Sequence, residues 1–186
     1  MTTGFAGSVT STMRRPPAGA GLDLLHLRWN DRPLDTLGRA EALFMGGGNT
    51  YALLKRLREA GLLPAIRARV EAGMPYVGAS AGSNVAGPTI LSTNDWNVVA
   101  LDRFDSLGLV SFNINPHYKE TDPAMAPGSE TRDERIAEYH VVNANPVVGL
   151  EEVPGVGAVD VSDPVHAGML GGAVGPGPGG GWGAGC

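Results

Sequence analysis

The sequence predicts an α/β fold with a doubly wound, mostly parallel sheet, and three observations predict it. Short apolar runs alternate with helix-like segments along most of the 186 residues, the pattern of strands and covering helices wound about one sheet. The connections between them are short. Two of the runs, residues 42–45 and 76–79, drive straight into glycine turns that open helices, and in a parallel sheet such turns gather at the carboxyl edge, where ligands bind.

In chain order, residues 22–27 read as a strand, 33–39 as a short helix and 42–45 as a buried strand. Residues 50–60 are helical, with Thr50 as N-cap and Gly61 as the stop, because a hydroxyl satisfies free N–H groups and glycine enters the left-handed region readily. A second helix over 63–72 ends at Gly73, ahead of the strand 76–79. Residues 110–115 alternate as a strand does and deliver Pro116-His117-Tyr118 at their end. A helix over 130–139 and closing strands over 147–150 and 157–161 complete the series. With no internal repeat or linker, residues 1–186 are expected to form one domain, long enough for a continuous core with a surface cleft. Residues 1–20, a polar leader, and 171–186, a Gly- and Pro-rich tail, offer little periodic apolar surface, and the tail is expected to be flexible.

A formal net charge of -5 and a pI near 5.3 provide no basic face for phosphate backbones, so nucleic acid is not an expected partner. Cys186 is the sole cysteine, which rules out an intrachain disulfide. No apolar run approaches the roughly 20 residues that span a bilayer, and the amino terminus lacks the apolar core of a secretion signal. The expected setting is cytoplasmic, with no membrane partner. There is no H-E-x-x-H helix and no Cys and His cluster, so neither metal nor cofactor is called for.

Gly78-Ala79-Ser80-Ala81-Gly82 is a G-x-S-x-G turn, a nucleophile elbow in which glycine on either side lets the backbone reverse and present Ser80 at the start of a helix. In a chain with 28 glycines the same spacing also arises as a plain strand-to-helix turn. A serine hydroxyl needs a base to accept its proton, and imidazole suits the task. Of the four histidines, His117 stands at a predicted strand end, whereas His26 lies inside a strand, His140 near a helix end and His166 in the degenerate carboxyl region. Its alternative role is a hydrogen bond within a turn. An oxyanion hole would draw on the N–H of Ala81 and on the glycine loop, through Gly48 or Gly47. That loop also reads as a tight turn or a phosphate cradle, although no Walker lysine follows it.

Taken in order, Gly46-Gly47-Gly48-Asn49-Thr50, Gly78-Ala79-Ser80-Ala81-Gly82-Ser83-Asn84, Pro88-Thr89-Ile90 with Thr93-Asn94-Asp95, Ile114-Asn115-Pro116-His117-Tyr118 and Glu130-Thr131-Arg132 closely resemble peptidase E, the alpha-aspartyl dipeptidase family of serine peptidases. The resemblance is dense from about Leu34 to Glu152. It implies a class I glutamine-amidotransferase-like, flavodoxin-like fold and hydrolysis of small Asp-Xaa peptides through an acyl-enzyme on Ser80, with His117 as base. The family's Gly-Leu-x-Glu segment corresponds to Gly149-Leu150-Glu151-Glu152, which implies Glu152 as the acid that orients the histidine. Asp95 competes for that role, although an Asn-Asp pair is also ordinary turn chemistry. By the same resemblance Arg132 binds the substrate's side-chain carboxylate through its guanidinium fork. Its other reading is a surface arginine paired with Glu130. Asn84 and Tyr118 would line the pocket.

One departure stands out. Family members carry a first strand and helix ahead of the strand at 22–27, where this chain has its polar leader, so the sheet is expected to lack that element. An uncovered sheet edge invites pairing with a second copy, which leaves room for a homodimer. Two alternatives stay open: a cyanophycinase-like peptidase acting on an aspartyl polymer, and a catalytically inactive, truncated relative serving as a binding protein.

Overall fold

The computed structural model describes residues 25–29, 32–118, 130–151, 158–160 and 168–170. Helix α1, Pro33–Arg39, opens with proline in its first turn, where a missing N–H removes no intrahelical bond. Strand β1, Leu43–Met45, buries Leu43 and Met45. Helix α2, Thr50–Glu59, buries Thr50, Leu53, Leu54 and Leu57, a stripe at the i, i+3, i+4, i+7 spacing of one helix face. Its N-cap is Asn49, whose side chain accepts from the Ala52 N–H, so the expected cap at Thr50 is displaced by one residue. Gly61, at φ 66°, turns the chain into α3, Leu62–Glu71.

Strand β2, Tyr76–Ala79, pairs in parallel with β1, Leu43 opposite Tyr76 and Met45 opposite Gly78. Helix α4, Ala81–Ala86, follows at once and is buried along its whole length. Strand β3, Asn113–Tyr118, and strand β4, Val147–Glu151, form a second parallel pair, with helix α5, Arg132–Val142, between them in sequence. Strand β5, Ala158–Asp160, and strand β6, Gly168–Leu170, extend the first sheet by antiparallel pairing, in the order β1-β2-β5-β6. Helix α4 packs against both β2 and β3, so the most buried helix joins the two parallel pairs. The core around it includes Tyr76, Val85, Ile90, Leu107 and Ile114.

Other sequence expectations shift as well, the helix expected over 130–139 running from Arg132 to Val142. Residues 25–27 lie outside any strand, and residues 22–24 lie outside the described residues. Strand β3 starts three residues later than expected because Leu109 and Val110 donate their N–H groups to Ala86, at the end of α4. The strand begins only where β4 offers a partner, Asn113 opposite Val147. The leader, the tail and most of 152–167 lie outside the described residues. Among those described, no helix is long and apolar enough to cross a membrane.

Candidate active site

Ser80 occupies the joint between β2 and α4 with φ 54° and ψ -115°, a conformation that a residue with a side chain adopts at a cost of about 1–3 kcal/mol. The reversal is therefore made at the serine, and the flanking glycines have another task. A Cβ on Gly82 would lie 2.0 Å from the Met45 carbonyl oxygen of β1, and one on Gly78 would lie 2.6 Å from the Gly82 carbonyl oxygen. Both glycines are close-approach positions that let α4 sit on the strands. Two buried hydroxyls lock the turn: Tyr76 donates to the Gly82 carbonyl at 2.7 Å and Ser83 to the Gly78 carbonyl at 2.8 Å. Burial raises the Tyr76 pKa far above its ordinary value, so that donor stays protonated throughout the physiological range.

His117 stands across from the serine on β3. Its Nε2 lies 2.8 Å from Ser80 Oγ, and in the tautomer with the proton on Nδ1 it accepts the hydroxyl proton. The ring arrives there through an irregularity in the ladder. Pro116 pairs with Leu150 and Tyr118 with Glu151, so His117 is the extra residue between two consecutive positions of β4. It has φ 58°. A bulge of this kind bends a strand and re-aims a side chain, here toward solvent and the serine. The sequence signal available for it is Pro116, because proline within a strand is confined to edges and bulges.

The glycine loop faces the same serine. A Cβ on Gly47 would come within 3.1 Å of Ser80 Cβ and 3.4 Å of its Oγ. Gly48, at φ 128°, holds a conformation that glycine alone adopts freely. Ala81 begins α4, where helix geometry leaves N–H groups without an intrahelical acceptor. The elbow, the glycine loop and the end of β3 thus converge at one edge.

Asp95 is engaged elsewhere than as a partner drawn for His117. Its Oδ2 accepts from the Thr50 backbone N–H at 2.7 Å and from the Thr50 hydroxyl at 2.6 Å. Asn84 is only 3% exposed. Its amide nitrogen reaches Thr50 Oγ1 at 3.3 Å and Thr93 Oγ1 at 3.4 Å. Glu152 lies outside the described residues. Strand β4 ends just before it, with the exposed Glu151 opposite Tyr118.

Helix α5 carries Arg132 in its first turn. Thr131 and Glu134 form a reciprocal capping box that starts the helix at Arg132. The Thr131 backbone N–H, followed by its hydroxyl, holds the Glu134 carboxyl below its usual pKa. The T-x-x-E spacing was readable in the sequence as a helix start. Tyr118 donates to Asp133 and covers Gly149, whose added Cβ would meet the ring at 2.7 Å, so the residue after His117 ties β3 to the first turn of α5. Glu130 pairs with Arg135 at 3.0 Å. The surface pairing expected of Arg132 is therefore taken by its neighbour, and among the described residues no acid pairs with Arg132. Partial burial, and then the Arg135 charge, press its pKa below the usual range. A guanidinium stays charged under such pressure.

The chain is similar to known proteins. The profile of peptidase family S51 matches residues 5–158. Peptidase E of Streptomyces coelicolor is 44% identical over 143 residues, covering 77% of this chain and 59% of that protein. The "Probable alpha-aspartyl dipeptidase" of Drosophila melanogaster is 45% identical over 146 residues, covering 77% and 60%. Among solved structures, the "Putative Peptidase E Protein" of Listeria monocytogenes EGD-e superposes with a TM-score of 0.52 at 27% identity, over 68% of this chain and 58% of that one. The chain spans about three fifths of the length of these curated relatives.

Proposed function

The chain belongs to peptidase family S51, and we propose that it is a serine exopeptidase that hydrolyses dipeptides with an amino-terminal aspartate. The observation that carries the reading is the 2.8 Å approach of His117 Nε2 to Ser80 Oγ, hydrogen-bond contact between a nucleophile and its base. In the proposed reaction Ser80 Oγ attacks the scissile carbonyl carbon while its proton passes to His117 Nε2. The oxyanion that forms is met by the N–H groups of Ala81 and of Gly48 or Gly47. Collapse breaks the C–N bond, the leaving amine takes the proton from His117, and the aspartyl ester remains on Ser80. A water molecule then gives one proton to His117 and its hydroxide to the ester carbon, and as the C–O bond to Ser80 breaks, His117 returns that proton to Ser80 Oγ and aspartate is released.

Glu152 is the proposed partner of the His117 ring. Support comes from the parallel pairing that carries β4 to the same edge as His117 and from the engagement of Asp95 with Thr50. Glu152→Ala is expected to lower kcat about 10⁴-fold with KM little changed, the scale seen when a base loses its orienting acid. A loss under about tenfold would remove Glu152 from the relay.

Arg132 is the proposed clamp for the aspartyl side chain, supported by its partial burial and the lack of an acidic partner among the described residues. Arg132→Ala should lower kcat/KM on Asp-Leu about 10²-fold, as expected for one charge-assisted bidentate contact. It should lower an uncharged Ala-Leu control hardly at all, and an equal drop on both would refute the assignment. The names of the relatives support a dipeptide over a polymer as substrate. Asp-Leu assayed beside a β-linked Asp-Arg polymer tests the whole reading, which is lost if only the polymer is cleaved. The proposed setting is the cytoplasm, since the chemistry requires no oxidising compartment and the lone Cys186 forms no intrachain disulfide.

A further inference from the structure

We infer that the Thr50 hydroxyl is a positioning group for the oxyanion loop: it fixes the glycine loop against the helix that carries the nucleophile. The inference rests on the hydrolase reading and adds to it a residue that touches neither substrate nor reacting atoms.

Thr50 is fully buried, and its hydroxyl uses every hydrogen-bonding capacity it has. It donates to Asp95 Oδ2 at 2.6 Å and accepts from Asn84 Nδ2 at 3.3 Å and from Thr93 Oγ1 at 3.1 Å, one donor and two acceptor sites filled. The three partners come from two places. Asn84 is four residues beyond Ser80 on α4, and Thr93 and Asp95 belong to the segment between α4 and β3. The same segment holds the helix start at two more points: Asp95 Oδ2 takes the Thr50 backbone N–H, and the Trp96 carbonyl accepts from Asn49 Nδ2 at 2.9 Å.

Three consecutive glycines have little stiffness of their own, so Gly46-Gly47-Gly48 is positioned by its two ends. One end is Met45, paired with Gly78 and packed under Gly82. The other is Asn49 and Thr50. A shift at Thr50 therefore passes to Gly47 and Gly48, and Gly47 is so close to Ser80 that an added Cβ would come within 3.1 Å of the serine Cβ. The chemistry of the network points the same way. Asn84 Oδ1 is buried without a partner among the described residues, a defect worth about 1–3 kcal/mol. Apolar residues of the same shape would avoid that cost, so the network is better explained by what it places than by what it stabilises.

The test compares wild type, Thr50→Val and Thr50→Ser for turnover of Asp-Leu and for the rate of fluorophosphonate labelling at Ser80. All rates are measured per folded molecule, below the unfolding transition. Thr50→Val, of equal shape but without the hydroxyl, is expected to lose about 10²-fold in kcat and in labelling rate, the size of one oxyanion donor. KM should stay within about twofold, and Thr50→Ser should recover kcat to within about fivefold of wild type. Should Thr50→Val fail to fold, Thr93→Val removes one donor from the same hydroxyl and is expected to lower kcat about fivefold at unchanged KM. Lower thermal stability with unchanged kcat in the folded variant reduces Thr50 to a structural residue and overturns the inference. A wild-type chain that neither cleaves Asp-Leu nor labels at Ser80 overturns the hydrolase reading, and the inference with it.

Discussion

Ser80→Ala is expected to lower kcat on Asp-Leu by about 10⁶-fold, the scale seen when a serine peptidase loses its nucleophile, and to abolish fluorophosphonate labelling. The substitution keeps the Cβ that already occupies φ 54° and removes only the oxygen that His117 contacts at 2.8 Å. The bonds that shape the elbow belong to Tyr76, Ser83 and the Ser80 carbonyl, none of which the substitution touches. The variant should therefore unfold within about 1 kcal/mol of wild type. The two measurements belong together. Lost activity with an unchanged unfolding midpoint assigns the loss to chemistry, whereas residual turnover within about tenfold of wild type would show that another group is the nucleophile.

The second large effect falls on stability, at Gly82. An alanine there would place its methyl 2.0 Å from the Met45 carbonyl oxygen and 2.7 Å from its carbon. Both are backbone atoms of a strand fixed by its pairing with β2, so no side chain can swing aside. Relief requires α4 to move off β1, which opens the core at Val85 and Ala86 and draws Ser80 away from His117. Gly82→Ala should lose about 4 kcal/mol or more, the range of a strained and overpacked core position, read as a lowered denaturation midpoint or as failure to fold. Gly38 serves as the reference. It lies within α1 with ordinary φ and nothing within 4 Å of its added Cβ, so Gly38→Ala should be neutral or stabilising by about 0.5–1 kcal/mol. Equal behaviour of the two variants would refute the packing account of the elbow glycines.

The local pattern revealed elements wherever a segment's own chemistry decided its structure. Residues 33–39 and 76–79 hold their expected bounds, because a proline start and an apolar run ending in a glycine turn are local signals. Residues 110–112 alternate as a strand would, yet their neighbourhood is committed to the end of α4, and backbone hydrogen bonding over a distance overrides the alternation. Asn49 and Thr50 are both good caps by residue type. Asn49 takes the position since the Thr50 hydroxyl is spent on Asp95, Asn84 and Thr93, a tertiary fact that no window of sequence contains. Strand direction is equally hidden: β5 was expected as a strand, but its antiparallel pairing with β2 has no signature in its own residues.

The candidate site divides along the same line. Ser80 and the glycine loop are legible because a tight backbone needs particular residues at particular spacings. The motif's glycines are required for a different reason than the one their type suggests, since the left-handed turn is made by the serine and the glycines make room for β1 and α4. The sequence leaves the pairing of Arg132 open, because five charges within residues 130–135 permit several arrangements, and in the structure Glu130 pairs with Arg135.

The irregularity at His117 makes the geometry a matter of phase. Side chains on a strand alternate between faces, so adding or deleting one residue between Asn113 and His117 would turn the imidazole toward the opposite side of the sheet. A relative that preserved the length of this short interval would keep the base in step with the serine. In aligning relatives the spacing across this interval is therefore a stricter criterion than residue identity.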